Sequence, residues 1–400
     1  MEKVLSGVRV LDFTDALAGP HCTRYLADCG AEVINIEKPG GKMARGVPYI
    51  SRGQSVDYLY NHCNKKSIGV DLKREGARDL MMQFAKKCDV VVENFRPGVM
   101  KDFGLDYAAF KGVNPSIIMC SLSGWGQEGP YADRMGADLT TQAESGILDL
   151  TGDPDGPPCR VIFPIADFLG GVNAFGAICA ALYRRTLTGV GDYIDIALMD
   201  CAISILQQAV GAHVLSDGKD EVRRSGRFDP TNSMRGVYKG RDGYIVISAY
   251  TDHGFARLAE LMEKPELATD PRFATGPNRK KNDKELATIV EEWLATFEKV
   301  SEVATLLQTY RMMASPVLTV AQVIEEDPQF KLRGMLKELD HPTLGKTRFL
   351  NTPLNFANSS ASVDEPPPAS PGDNTEGVLR SVLNLGDDEI GHLKREGIVF

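Results

Sequence analysis

Gly7-Val-Arg-Val-Leu-Asp-Phe13 and Ala31-Glu-Val-Ile-Asn-Ile-Glu37 are two short apolar runs, and each reads as a buried strand. A helical stretch lies between them. It follows the Ala18-Gly19-Pro20 turn, with Pro20 well placed at a helix start, and Cys29-Gly30 ends it. Together they make one β-α-β unit, and the pattern recurs. Residues 67–72 read as a strand, 74–88 as a helix and 89–95 as a strand. Residues 100–113 are mostly helical, and 116–121 form another strand. Such alternation argues for an α/β fold with a parallel sheet and helices on both faces. No G-x-G-x-x-G follows the first strand, so the architecture is Rossmann-like without pointing to a dinucleotide.

Further along, the chain changes character. Asp217, Lys219, Asp220, Glu221, Arg223, Arg224 and Arg227 cluster in a polar stretch that reads as a linker. Beyond it, Val237-Tyr-Lys-Gly-Arg-Asp-Gly-Tyr-Ile-Val-Ile-Ser248 predicts a hairpin with Asp242-Gly243 at its turn. Leu286, Ile289, Val290, Trp293, Leu294 and Phe297 form one apolar helix face. This part reads as a smaller α+β domain. The Pro- and Ser-rich residues 358–374 read as an extended surface connection, and no solenoid-type repeat is visible.

A length of 400 residues predicts two or three domains at about 100–200 residues each. With 43% hydrophobic and 25% charged residues, the chain is neither disordered, collagen-like nor a coiled coil. The formal charge of −9 does not favour nucleic acid, although a local basic site for an anion is compatible with it. The eight cysteines show no zinc-like spacing and read as reduced thiols of a cytoplasmic protein. Met1-Glu2-Lys3 leads directly into the first strand, so no signal peptide is expected. Residues 161–183 are apolar, but Pro164, Asp167, Asn173 and three glycines favour a buried strand and helix over a membrane span.

Asp167 is the most unusual local feature. Residues 160–165 read as a strand running into it, and an apolar, glycine-containing helix over 168–183 follows. One reading makes Asp167 an N-cap. The other makes it a nucleophile or base beside Gly170 and Gly171, glycines that let a ligand approach. A second feature is charge. Between residues 38 and 74 stand eight bases, Lys38, Lys42, Arg45, Arg52, Lys65, Lys66, Lys73 and Arg74, against Asp57 and Asp71. They read either as a solvated face or as a phosphate-binding edge at strand ends, and Arg96 occupies a similar place. His21-Cys22 and His62-Cys63 are adjacent pairs that could form a Cys–His nucleophile, although neighbours in a strand face apart. No G-x-S-x-G, H-E-x-x-H, EF-hand or P-loop is present, and no metal site is expected.

Several segments together resemble the class III CoA-transferase family (the CaiB/BaiF type), which includes formyl-CoA and carnitine CoA-transferases. They are Leu11-Asp-Phe-Thr14 with Ala18-Gly-Pro20, Gly30-Ala-Glu-Val-Ile34 with Ile36-Glu37, Asn64-Lys-Lys-Ser-Ile68, and Val92-Glu-Asn-Phe-Arg-Pro-Gly98. Ser123-Gly-Trp-Gly-Gln-Glu-Gly-Pro130, Asp167 with its helix, and the Gly386-Asp-Asp-Glu-Ile390 tail continue the match in order and spacing. The resemblance implies a large Rossmann-like domain built from both chain ends, 1–214 and 331–400, with a small α+β domain over 215–330. It also implies an interlocked dimer; a homodimer is the first expectation and pairing with a homologous subunit the second.

The resemblance implies that Asp167 is the catalytic nucleophile, forming aspartyl anhydride and aspartyl-CoA thioester intermediates. The substrates would be an acyl-CoA donor, such as succinyl-CoA, and a carboxylic acid acceptor, with no permanently bound cofactor. It carries CoA contacts onto Ala16, Leu17 and Ala18 near the thioester, and onto Lys38 and Val70, Asp71, Leu72 and Lys73 near the adenosine phosphates. Asn94, Phe95 and Arg96, with Lys101 and Asp138, complete the expected set. Two departures matter. Leu17 replaces a Gln of formyl-CoA transferase, leaving the oxyanion contact to a backbone N–H. Asp229-Pro-Thr-Asn-Ser-Met-Arg235 replaces a run of glycines, which points away from oxalate. The related α-methylacyl-CoA racemases place a His where this chain has Ala137, and alanine carries no proton. A non-catalytic CoA-binding subunit is the third reading, and the presence of Asp167 argues against it.

Overall fold

The computed structural model describes residues 1–47 and 49–400. They pack into two compact units, one of residues 1–145, 161–206 and 329–400, the other of 146–160 and 207–328.

The first unit opens with β1 (Arg9–Asp12), α1 (Ala18–Asp28), β2 (Glu32–Glu37) and β3 (Lys65–Gly69). Then come α2 (Ala77–Ala85), β4 (Val90–Glu93), α3 (Tyr107–Val113) and β5 (Ile118–Ser123). It continues through α4 (Asp138–Glu144), α5 (Ile165–Thr188), β6 (Tyr193–Ala197) and α6 (Leu198–Ser204). The six strands form one sheet in the order β3-β2-β1-β4-β5-β6. Every pairing is parallel, with Leu11 opposite Ile34 on one side and Val91 on the other. Strand order reverses between β1 and β4. In open α/β sheets that reversal opens a crevice at the carboxyl ends of the strands.

Val10, Leu11, Ile34 and the valines of β4 are essentially inaccessible, as strands covered on both faces must be. One face packs Leu11, Ile34 and Ile68 against Leu80, Met81, Phe84 and Phe110. On the other, α1 runs along α5. Of the described helices, α5 alone is long and apolar enough to cross a membrane, with a mean hydropathy of 1.6, and its buried face includes Gly170, Gly171, Ala174, Ile178 and Leu182.

The second unit holds β7 (Arg235–Lys239), β8 (Tyr244–Ser248), α7 (Asp252–Leu261), α8 (Asp283–Leu294), α9 (Val300–Thr309) and β9 (Met313–Pro316). The expected hairpin forms, with Lys239 opposite Tyr244 across the Asp242-Gly243 turn. The expected apolar face buries Leu286, Val290 and Leu294. The chain then returns to the first unit. Hairpin β10 (Leu336–His341) and β11 (Gly345–Leu350) is followed by α10 (Thr375–Leu383) and α11 (Asp387–Arg395). Val378, Leu379 and Ile390 join the core beneath the sheet.

One expectation needs correction and one strand went unread. Residues 160–164 form no strand: Pro164 lacks an N–H, and Ile162 and Phe163 are exposed. The helix begins at Ile165 instead. Strand β6, unread in the sequence, lies at the sheet edge, where its half-exposed residues give no continuous apolar run.

Candidate active site

Asp167 is the third residue of α5, and Pro164 holds the N-cap position without a side-chain acceptor. Asp138 of α4 supplies what is missing. Its Oδ1 accepts the Ala166 N–H at 2.8 Å, and its Oδ2 accepts Gln142 Nε2 at 2.6 Å. Gln142 Oε1 in turn accepts the Val161 N–H at 3.0 Å. Asp138 and Gln142, one helical turn apart, thus clamp the start of α5. The N-cap reading of Asp167 is corrected: another helix does that work. Asp138 itself, expected as a CoA contact, has both oxygens engaged within the protein.

The Asp167 carboxyl has no hydrogen-bond partner among the described residues. Burial, then the neighbouring Asp138 charge, lift its pKa from the ordinary 3.8 to about 7. Gly170 and Gly171 serve packing rather than ligand approach, which corrects the second half of that reading. A Cβ on Gly170 would meet Leu198 Cδ2 at 2.3 Å, and one on Gly171 would meet the Ala18 carbonyl at 2.7 Å. These glycines let the first turns of α5 lie against the start of α1. The loop Ala16-Leu17-Ala18 is therefore brought beside the helix that carries Asp167.

That loop begins at a cavity of about 160 Å³ in the crevice. Phe13 and Asp15 follow β1, Ile36 and Lys38 end or follow β2, Val70 to Lys73 follow β3, and Phe95 follows β4. Phe103 closes the apolar wall and Lys42 adds a cation. Lys38, Val70, Asp71, Leu72, Lys73 and Phe95, all expected as CoA contacts, line this one cavity. Phe13, Ile36, Phe103 and Asp15 were not expected; Phe13 and Asp15 follow β1, Ile36 lies near the end of β2, and Phe103 follows a short helical turn over Val99–Asp102.

The basic stretch divides in two. Lys65 is buried against Asp12 at 3.2 Å, which holds the Asp12 carboxyl below its usual range although burial pushes it up. Lys42 donates to the Thr14 carbonyl and to Asn35. Arg45 pairs with Glu37 at 2.7 Å, Lys66 with Glu32 at 2.7 Å and Arg74 with Asp71 at 3.4 Å. Lys38 and Lys73 remain exposed, with no ion-pair partner among the described residues. Arg52 donates to the Leu344 carbonyl, so the phosphate-edge reading narrows to Lys38 and Lys73. Asp71 also accepts the Lys73 N–H, so its carboxylate folds its own turn.

Arg96 and Lys101 do not join them. They line a second cavity of about 310 Å³ with Glu93, Tyr107, Ser121 and Tyr193. Burial raises Glu93 to about 7, and its carboxylate accepts the Phe95 N–H at 2.8 Å. Asn94 is committed to Asp15 through two backbone hydrogen bonds. The Cys–His pairs carry no nucleophile. Burial holds His21 down to about 4, stacks it edge-on against Phe168 at 4.7 Å, and pushes the Cys63 thiol up to about 12. Ala137, at the racemase histidine position, is the N-cap of α4.

A family model described as CoA-transferase family III matches residues 5–374. Human succinyl-CoA:glutarate CoA-transferase is 34% identical over 99% of this chain and 90% of its own length. Succinyl-CoA–D-citramalate CoA-transferase of Chloroflexus aurantiacus is 32% identical over 99% of this chain and 98% of its own. Formyl-CoA:oxalate CoA-transferase of Streptomyces avermitilis is 32% identical over the whole of both chains. A crystal structure of a CaiB/BaiF family protein from Brucella suis superposes with a TM-score of 0.85 at 34% identity, covering 96% of this chain and all of that one.

Proposed function

The chain belongs to CoA-transferase family III, and on that premise we propose that it moves CoA from succinyl-CoA to a dicarboxylic acid through covalent chemistry at Asp167. The observation that carries the reading is Asp167 itself: an unpartnered, half-buried carboxyl beside the crevice loop, with its helix start clamped by another residue.

Each step is an acyl exchange. The Asp167 carboxylate attacks the donor thioester carbonyl, forming a mixed anhydride and expelling CoA thiolate. The thiolate attacks the Asp167 carbonyl, releasing the donor acid and leaving an aspartyl-CoA thioester. The acceptor carboxylate attacks that thioester, giving a second anhydride and thiolate again. The thiolate then attacks the acceptor carbonyl, yielding the new acyl-CoA and the free carboxylate. No proton is gained or lost, and several moderate barriers replace one prohibitive exchange. Water must be excluded from every intermediate. In this reading the oxyanion role that a Gln fills in formyl-CoA transferase falls to backbone N–H groups of the Ala16–Ala18 loop.

The apolar walls of the first cavity suit an adenine, with Lys38 and Lys73 as phosphate partners at its rim. Lys is a point-charge partner there, without the bidentate fork of Arg. Arg96 and Lys101 form a separate cationic edge along the same crevice. Residues 229–235 favour an acceptor other than oxalate. They form a tight loop in which Asp229 Oδ1 accepts the Thr231 and Asn232 N–H groups at 2.9 and 2.8 Å, unlike a glycine flap.

We propose a cytoplasmic homodimer whose large domain is built from both chain ends. Val172, Tyr183 and Leu187 of α5 are 47%, 69% and 71% exposed, apolar area that a second copy would cover. The test is thioester exchange from succinyl-CoA to a panel of dicarboxylates, followed by mass spectrometry. New acyl-CoA from wild type and none from Asp167→Ala supports the proposal. Deuterium entering an α-carbon in heavy water without any transfer would replace it with racemisation.

A further inference from the structure

Resting on that reading, we infer that Asp15, locked in place by Asn94, is the positioning residue of the CoA site. The structure joins three loops at this one side chain. Asp15 Oδ1 accepts the N–H of Ala16 at 2.7 Å and of Ala44 at 3.1 Å, while Oδ2 accepts the N–H of Met43 at 2.9 Å. Asn94 closes the junction from the third loop. Its Oδ1 accepts the Asp15 N–H and its Nδ2 donates to the Asp15 carbonyl, both at 2.8 Å. The loops after β1, β2 and β4 are thereby tied together at the place where strand order reverses. The same three loops contribute Phe13, Lys38, Lys42 and Phe95 to the cavity.

The backbone explains why a lock is needed. Ala16 has φ of +61°, a left-handed conformation that a residue with a Cβ resists unless its surroundings over-determine it. Here the stretch leading into Ala16 is held at two points. Asp15 takes the Ala16 N–H, and Lys42 donates to the Thr14 carbonyl. From Ala16 the chain runs two residues to Ala18, whose carbonyl lies against Gly171 of the Asp167 helix. The lock therefore sets both the cavity wall and the approach of the loop to Asp167.

Charge separates holding from binding. Asp15 lines a cavity proposed for a polyanion, yet no ion pair neutralises it among the described residues. A carboxylate there makes a poor CoA contact. Spending its oxygens on backbone N–H groups keeps its charge engaged inside the protein.

The experiment uses the full-length chain. CoA affinity is measured by calorimetry, and amide exchange is followed over residues 14–18, 42–45 and 94–96, for wild type, Asp15→Ala, Asp15→Asn and Asn94→Ala. Asp15→Ala is expected to weaken CoA binding by roughly tenfold or more. It should also speed exchange in all three loops together. Asp15→Asn, which keeps one acceptor oxygen, should fall between. Asn94→Ala should reproduce the pattern where Asp15→Ala does not fold. CoA affinity within about twofold of wild type in a folded Asp15→Ala, or faster exchange confined to residues 14–18, would overturn the inference. Failure of wild type to bind CoA would instead sink the transferase reading, and the exchange pattern alone would then decide the lock.

Discussion

Burial and the nearby Asp138 charge lift the Asp167 carboxyl from 3.8 to about 7, so near neutrality only part of it is ionised. The nucleophile is the ionised form. Formation of the covalent intermediate should therefore rise with pH and level off above about 7, as a pH series of single-turnover rates will check. Asp138→Asn removes the repelling charge while keeping an oxygen for the Ala166 N–H. Its profile should shift to lower pH. Linkage gives a second expectation with a definite sign. A carboxyl whose pKa is raised by folding costs stability progressively as pH climbs from about 4 through 7. Asp167→Asn should hence melt higher than wild type at pH 8, with the gap closing towards pH 4. Asp167→Ala should lower transfer by roughly a thousandfold or more. Asp167 stood out in the sequence because one carboxylate opened a long apolar helix. Asp138 was named only as a CoA contact; its hold on the Ala166 N–H spans 28 residues, and only the fold brings the two together.

At the scale of elements, the α1–α5 contact joins the crevice to Asp167. Gly171→Ala would press a methyl against the Ala18 carbonyl at 2.7 Å and His21 Cβ at 3.0 Å. Backbone cannot yield as a side chain does, so a loss of about 1–3 kcal/mol is expected in denaturant unfolding. Activity should fall beyond what the residual folded fraction explains, because the loop at Ala16 to Ala18 moves with α1. Gly170→Ala should be milder, since Leu198 Cδ2 is the flexible end of a side chain. The glycines were legible as special positions but not as packing positions: only the paired helix says what a Cβ would strike. Strands β1, β2, β4 and β5 were legible because burial on both faces leaves largely apolar runs, whereas β3 opens on Lys65 and Lys66, two residues before the stretch read as a strand. The edge strand β6 alternates and escaped notice, while residues 160–164 looked like a strand by composition but had Pro164 and exposure against them.

For the whole molecule, the sheet reversal between β1 and β4 gathers residues from four strand ends into one crevice. The order of segments along the chain hinted at this, but composition did not: a chain of −9 carries its cations locally, and most of those are spent inside the protein. Reversing charge at the two unspent ones, Lys38→Glu and Lys73→Glu, should raise the KM for acyl-CoA while leaving that for the acceptor acid little changed, as initial-rate kinetics will show. The apolar, exposed face of α5 predicts twice the chain mass in analytical ultracentrifugation.

The most direct test mixes the protein with succinyl-CoA and no acceptor, and weighs the intact chain before and after, with peptide mapping. The account predicts a CoA thioester or acyl anhydride on the peptide that carries Asp167, absent from Asp167→Ala. An unmodified chain, or an adduct that persists in Asp167→Ala, would contradict it.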